Sequence, residues 1–227
     1  MFEDHDGSPS LPIGDPLRVL ICDEHDLVRR SLTATLEESR ALEVVAEAAA
    51  AGEAVTESLH VAPDVIFVSL VLPQLAGIQT IGLISDVMPG VPVVALAVEE
   101  PIDERFDALR AGAFGVVDKD RILGSAESTI ECLLTGAPFV DAELAEVLLA
   151  RFDELVADSG VALLTGRERS VLEGLTVGED LAAIGEDRQM LTSEVQNHVA
   201  NVLGRLRAGA PLDMGPEARE VLVTAAG

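Results

Sequence analysis

Five short apolar runs, Arg18–Cys22, Glu43–Ala46, Val65–Val68, Val91–Leu96 and Gly115–Val117, alternate with amphipathic stretches across the first 136 residues. Runs of this length suit buried strands, whereas the stretches between them repeat on a helical period. Leu27, Val28, Leu32 and Leu36 recur at i, i+1, i+5 and i+9, and Ile122, Ala126, Ile130 and Leu133 at i, i+4, i+8 and i+11. Strands separated by helices pair in parallel, because each helix carries the chain back to the start of the next strand. The alternation therefore predicts an α/β unit, a doubly wound parallel five-stranded sheet with helices on both faces. Such sheets place their sites at the carboxyl ends of the strands. Those ends carry Asp23 and Glu24, Ser69, Ala97, and Lys119.

At 227 residues the chain is long enough for one to two domains. With 3% aromatic residues and neither Trp nor Tyr, its cores are packings of Val, Leu, Ile and Ala. No apolar run approaches the roughly 18 residues of a membrane span. Residues 1–16 are acidic and broken by Pro and Gly, which predicts a disordered lead rather than a signal peptide. A cytoplasmic protein without a membrane partner is expected. Cys22 and Cys132 lie in apolar runs without metal-ligand spacing and read as small buried hydrophobes. The four His are scattered, so neither a metal site nor a cofactor is expected. No nucleophile–base pair, metal triad or phosphate loop appears, so an enzyme is not expected.

The segments around the strand ends resemble the receivers of the NarL/FixJ response-regulator family. "LRVLICDEHDLVRRSL" is similar to the family's opening strand and acidic pair, and "PDVIFVSLVLPQLAG" to its third strand with the following turn. "ALRAGAFGVVDKD" is similar to the stretch leading to the family's lysine. The resemblance implies a flavodoxin-like fold in which carboxylates hold Mg²⁺ and a third-strand aspartate takes a phosphoryl group. Here that aspartate's place is held by Ser69, the family's switch hydroxyl by Ala97 and its switch aromatic by Val116. An alcohol without an adjacent base is a weak nucleophile near neutral pH. The expected state is a degenerate phosphorylation pocket of Asp23, Glu24, Ser69, Ala97 and Lys119. Ser69 then makes a local hydrogen bond, and Lys119 serves as a structural tether rather than as an anchor for a ligand. A pocket vacated in this way could admit a small-molecule ligand or a side chain of another protein.

Residues 137–160 carry Val140, Leu144, Val147, Leu148, Phe152 and Leu155 on one face among six carboxylates. This pattern predicts an amphipathic linker helix, packed on its own domain or used in a dimer. Residues 161–227 are expected to form an all-α domain. "LTGRERSVLEGLTVGEDLAAIGEDRQMLTSEVQNHVANVLGRL" resembles the LuxR-type helix-turn-helix. Thr165 with Glu168 has capping-box spacing, and Thr192 or Ser193 opens the third helix. The resemblance implies that this helix enters the major groove, presenting Thr192, Ser193, Gln196, Asn197, Ala200, Asn201 and Arg205. Amide side chains at 196, 197 and 201 suit adenine. Asp187 and Arg188 stand where the family has an apolar pair, which suggests looser packing there.

Charge opposes DNA binding. The chain carries a net −25, and residues 161–210 hold five Arg against seven carboxylates. Phosphate neutralisation supplies most non-specific affinity, so weak binding is expected unless the protein is dimerised or assisted. The reading is a DNA-binding transcriptional regulator, an orphan response regulator acting without aspartyl phosphorylation as a homodimer or a heterodimer with a related regulator. The alternative is a protein–protein adaptor with a degenerate receiver and weak or no DNA binding.

Overall fold

A computed structural model describes residues 15–73, 76–124, 127–159, 163–209 and 221. Among them, strands β1 (Leu17–Cys22), β2 (Leu42–Ala48), β3 (Val65–Ser69), β4 (Val93–Ala97) and β5 (Gly115–Asp118) form one sheet. Its order is β2-β1-β3-β4-β5, with every pair parallel. Helices α1 (Asp26–Glu37), α2 (Ala51–Val61), α3 (Gly77–Val87) and α4 (Ile102–Ala111) are the crossovers. The two-residue period of a strand divides its side chains between two cores. Val19, Ile21, Val65, Phe67, Val94 and Leu96 face one, with Leu32 and Leu36 of α1. Leu20, Cys22, Ile66, Val68, Val93 and Ala95 face the other, against α2, α3 and α4. The expected doubly wound sheet is present. One expected inward residue is not: Leu27 is 77% exposed.

The segment expected as one helix around Ile122–Leu133 is two, α5 (Lys119–Gly124) and α6 (Glu127–Thr135). The chain then runs extended, and Phe139 forms a parallel bridge with Gly115. A side chain at 115 would stand 2.3 Å from the Phe139 carbonyl oxygen, so only glycine admits this sixth edge. Helix α7 (Ala142–Ser159) therefore begins later than the expected linker helix, after Asp141 Oδ1 has accepted a hydrogen bond from Leu144 N at 2.8 Å.

Helices α8 (Gly166–Thr176), α9 (Leu181–Arg188) and α10 (Thr192–Gly209) follow. The capping box is present: Glu168 N donates to Thr165 Oγ1 at 3.3 Å, and Thr165 N donates to Glu168 Oε2 at 2.7 Å. Asp180 caps α9 by accepting from Ala183 N at 2.8 Å. Val171, Leu172, Ile184, Val195, Val199, Val202 and Leu206 are buried between the three helices. The α8–α9 region is not loosened by its polar pair. Arg188 folds back over Gly174, donating to Ser170 O at 3.1 Å and pairing with Glu179 at 2.9 Å. Its guanidinium, rather than an apolar side chain, lies over Gly174.

Helix α7 packs against both α4 and α8, burying Leu144, Leu148 and Phe152. One apolar core consequently runs from the sheet's second face through α7 into α8–α10. The disordered lead expected over residues 1–16 falls almost wholly outside the described residues. So does the tail beyond Gly209, apart from Val221, which packs on this core.

Candidate functional site

The carboxyl ends of β1, β3 and β5 converge on Asp23, Ser69 and Lys119. Asp23 and Ser69 are fully buried, and Lys119 is 6% exposed. Lys119 Nζ lies 2.6 Å from Asp23 Oδ2 and donates to Ser69 Oγ at 2.8 Å. Ser69 Oγ in turn donates its proton to Val71 O at 2.9 Å. Asp23 Oδ1 accepts from His25 N at 2.9 Å. The hydroxyl is thus fixed in both roles: its lone pair faces an ammonium, and its proton faces a carbonyl. That arrangement is the reverse of nucleophile activation, which needs a base to take the hydroxyl proton.

The remaining expected members stand apart from this cluster. Glu24 is half-buried and lies 3.8 Å from His25 Nδ1, not on Lys119. Ala97 is buried in the core on the opposite face from Phe67, and Val116 is buried with it. Lys119 bonds both Asp23 and Ser69 at the floor of the site, and a cavity of about 550 Å³ remains open beside it, lined by His25, Val28, Val71, Val98, Glu104 and Lys119. Neighbouring Cys22 is buried, and desolvation, with Asp23 beside it, pushes its thiol up to about 12. It is inert as a nucleophile near neutral pH. Among the described residues no group of three or more His, Cys, Asp or Glu could hold a metal ion.

The third helix of the C-terminal unit is α10. Thr192, Ser193, Asn197 and Asn201 are exposed, whereas Gln196, Ala200 and Arg205 are half-buried. Leu191 precedes the helix, and its backbone carbonyl accepts from Glu194 N at 2.8 Å. Arg205 is not a free cation. It lies 2.5 Å from Glu168 Oε2, donates to Leu163 O at 3.0 Å and covers the Phe152 ring at 5.6 Å. Burial of Glu168 works against its ionisation, but the Thr165 hydrogen bonds and Arg205 outweigh it and hold the carboxyl below its usual range. Arg205 therefore binds α10 to α7 and α8.

One face of α10 rests on the sheet unit. It packs against α4, and Ala200, Leu203, Gly204 and Arg207 line a crevice of about 250 Å³ with Pro92, Gly112 and Phe114. Arg207 pairs with Asp86 of α3 at 2.8 Å. Gly112, at φ +114°, is favoured by its backbone and lies close under Arg207. An L residue disfavours that backbone, and its Cβ would stand 3.0 Å from Arg207 Nε. Sequence reasoning missed Asp86, Gly112 and Arg207 as a set because nothing local links residues this far apart. Ala200, expected among the groove-facing residues, lines the receiver crevice instead, together with Gly204.

Comparison with known proteins accords with this geometry. The response regulator receiver domain matches residues 19–125. Response regulator GacA of Pseudomonas viridiflava is 31% identical over 155 residues, spanning 67% of this chain and 72% of its own. Transcriptional regulatory protein LiaR of Bacillus subtilis is 28% identical over 195 residues, 84% of this chain and 90% of its own. A two-component response regulator of the LuxR family from Aurantimonas superposes with a TM-score of 0.53 at 27% identity, covering 58% of this chain and 94% of that one. Salmonella typhimurium RcsB response regulator shares the fold over 94% of this chain and 99% of its own, with a TM-score of 0.53 at 18% identity. With a receiver sheet, a C-terminal helical unit and relatives that include transcriptional regulators over most of its length, the chain belongs to the response-regulator family.

Proposed function

We propose that this protein is a DNA-binding transcriptional regulator, an orphan response regulator whose receiver works without aspartyl phosphorylation. The observation that carries this reading is the Asp23–Lys119–Ser69 cluster, in which a hydroxyl stands at the strand end, its lone pair facing an ammonium and its proton a carbonyl. Residues 17–136 are the receiver, 137–160 the linker and 161–227 the DNA-binding unit. The form with α10 against α4 is the resting state, since Gln196 and Ala200 are half-covered in it. Release of that contact frees the outer face of α10 for the major groove. A homodimer, or a heterodimer with a related regulator, doubles the phosphate contacts that a single acidic unit lacks.

A second reading has a specific observation behind it. Arg188, Arg205 and Arg207 are each paired with a carboxylate of the same chain. An adaptor that docks on proteins and has abandoned DNA fits that pattern. A salt-titrated binding assay on genomic fragments, without any phosphodonor, separates the two. The regulator binds a subset of fragments, loses affinity as salt rises, and loses specific binding on Asn197→Ala. The absence of binding at low salt, alone and with a related regulator, supports the adaptor.

A further inference from the structure

We infer that Leu191 is a specificity residue that receives the C5-methyl group of thymine, so that α10 selects A·T pairs through uncharged contacts. The inference rests on the DNA-binding reading above. Leu191, immediately before α10, is 70% exposed. A leucine brings no side-chain oxygen to cap a helix, so capping does not account for it. Its backbone is nevertheless anchored on both sides. Leu191 N donates to Glu194 Oε2 at 2.8 Å, and its carbonyl accepts from Glu194 N at 2.8 Å and Val195 N at 3.1 Å. The apolar side chain is therefore held outward on a fixed mount.

The N-terminal residues of a recognition helix are those that meet base edges, and the thymine methyl is the apolar feature of the major groove. Residues 191–204 contain neither Lys nor Arg, and the one carboxylate, Glu194, is occupied by Leu191 N, so base readout from this stretch falls to its amides and apolar groups. Exposed Asn197 and half-buried Gln196 supply amides, the natural partners of adenine. Leucine for thymine and amide for adenine address the two halves of one base pair.

The test uses uracil, which is thymine without the methyl. Sites are recovered from random-sequence DNA with the full-length chain, and each thymine is replaced in turn by uracil. Burial of one methyl corresponds to about a fourfold change in affinity. The wild type loses about that factor at one or more positions, and Leu191→Ala loses it already on thymine DNA with no further loss on uracil. Leu191→Met retains the methyl dependence. Equal methyl dependence in wild type and Leu191→Ala, or none in the wild type, overturns the inference while leaving DNA binding intact. Failure to recover any site overturns the DNA-binding reading and this inference together.

Discussion

Replacing Lys119 with Met removes the ammonium and keeps the length of the side chain. In the native cluster that ammonium lies 2.6 Å from a carboxylate with no solvent exposure. Asp23 Oδ2 has no hydrogen-bond partner to fall back on, and only Oδ1 keeps its bond from His25 N. Ser69 loses one hydrogen bond but retains its own to Val71 O. Stranding a buried charge in this way costs about 3–5 kcal/mol, against about 1 kcal/mol for the serine bond. For a chain of this size that is a fall in Tm of roughly 6–20 °C. Urea unfolding followed by circular dichroism measures it. The double variant Asp23→Asn with Lys119→Met removes both charges while Asn still accepts from His25 N, and it recovers at least about 2 kcal/mol. A Lys119→Met protein within about 1 kcal/mol of wild type, or a double variant no better than the single one, refutes the tether.

Three further outcomes follow from the contacts between and within the units. Asp86→Ala removes an exposed pair worth at most about 1 kcal/mol, so it raises apparent DNA affinity no more than about fivefold and enlarges the radius of gyration measured by small-angle scattering. Ala200→Lys places a cation in the receiver crevice; it weakens the closed form, strengthens DNA binding, and steepens the salt dependence by about one phosphate contact. Glu168 has a folded-state pKa below its unfolded value, so its contribution is complete above the usual carboxylate range and is lost as pH falls through the depressed value. Acid unfolding monitored by circular dichroism therefore shows a stability loss in that range for the wild type, and a flatter profile for Glu168→Gln.

The strands and the order of elements were legible because burial on both faces leaves near-continuous apolar runs. Their ends were not, since Leu42, Ala48 and Ser69 extend strands by backbone pairing that side chains do not announce. Leu27 was grouped with Val28, Leu32 and Leu36 yet points outward, because at 3.6 residues per turn it falls on the opposite side of α1 from buried Leu36. The Asp23–Lys119–Ser69 cluster was readable as a set of positions, but its internal bonding was not. That bonding depends on a lysine reaching across the carboxyl ends of three strands. Arg205 stood among the expected groove contacts and Arg188 at a position expected to pack loosely. Only packing shows that the Arg188 guanidinium lies over Gly174, bonded to Ser170 and Glu179, and that Arg205 is held between Glu168 and Phe152.

Phosphoryl transfer itself tests the central claim most directly. The full-length chain is incubated with a small-molecule phosphodonor and Mg²⁺, under conditions that label a response regulator with an intact aspartate, and its intact mass is measured. An unchanged mass is the result expected of a hydroxyl locked between Lys119 and Val71. Gain of one phosphoryl group, on Ser69 or on Asp23 or Glu24 beside it, contradicts the account.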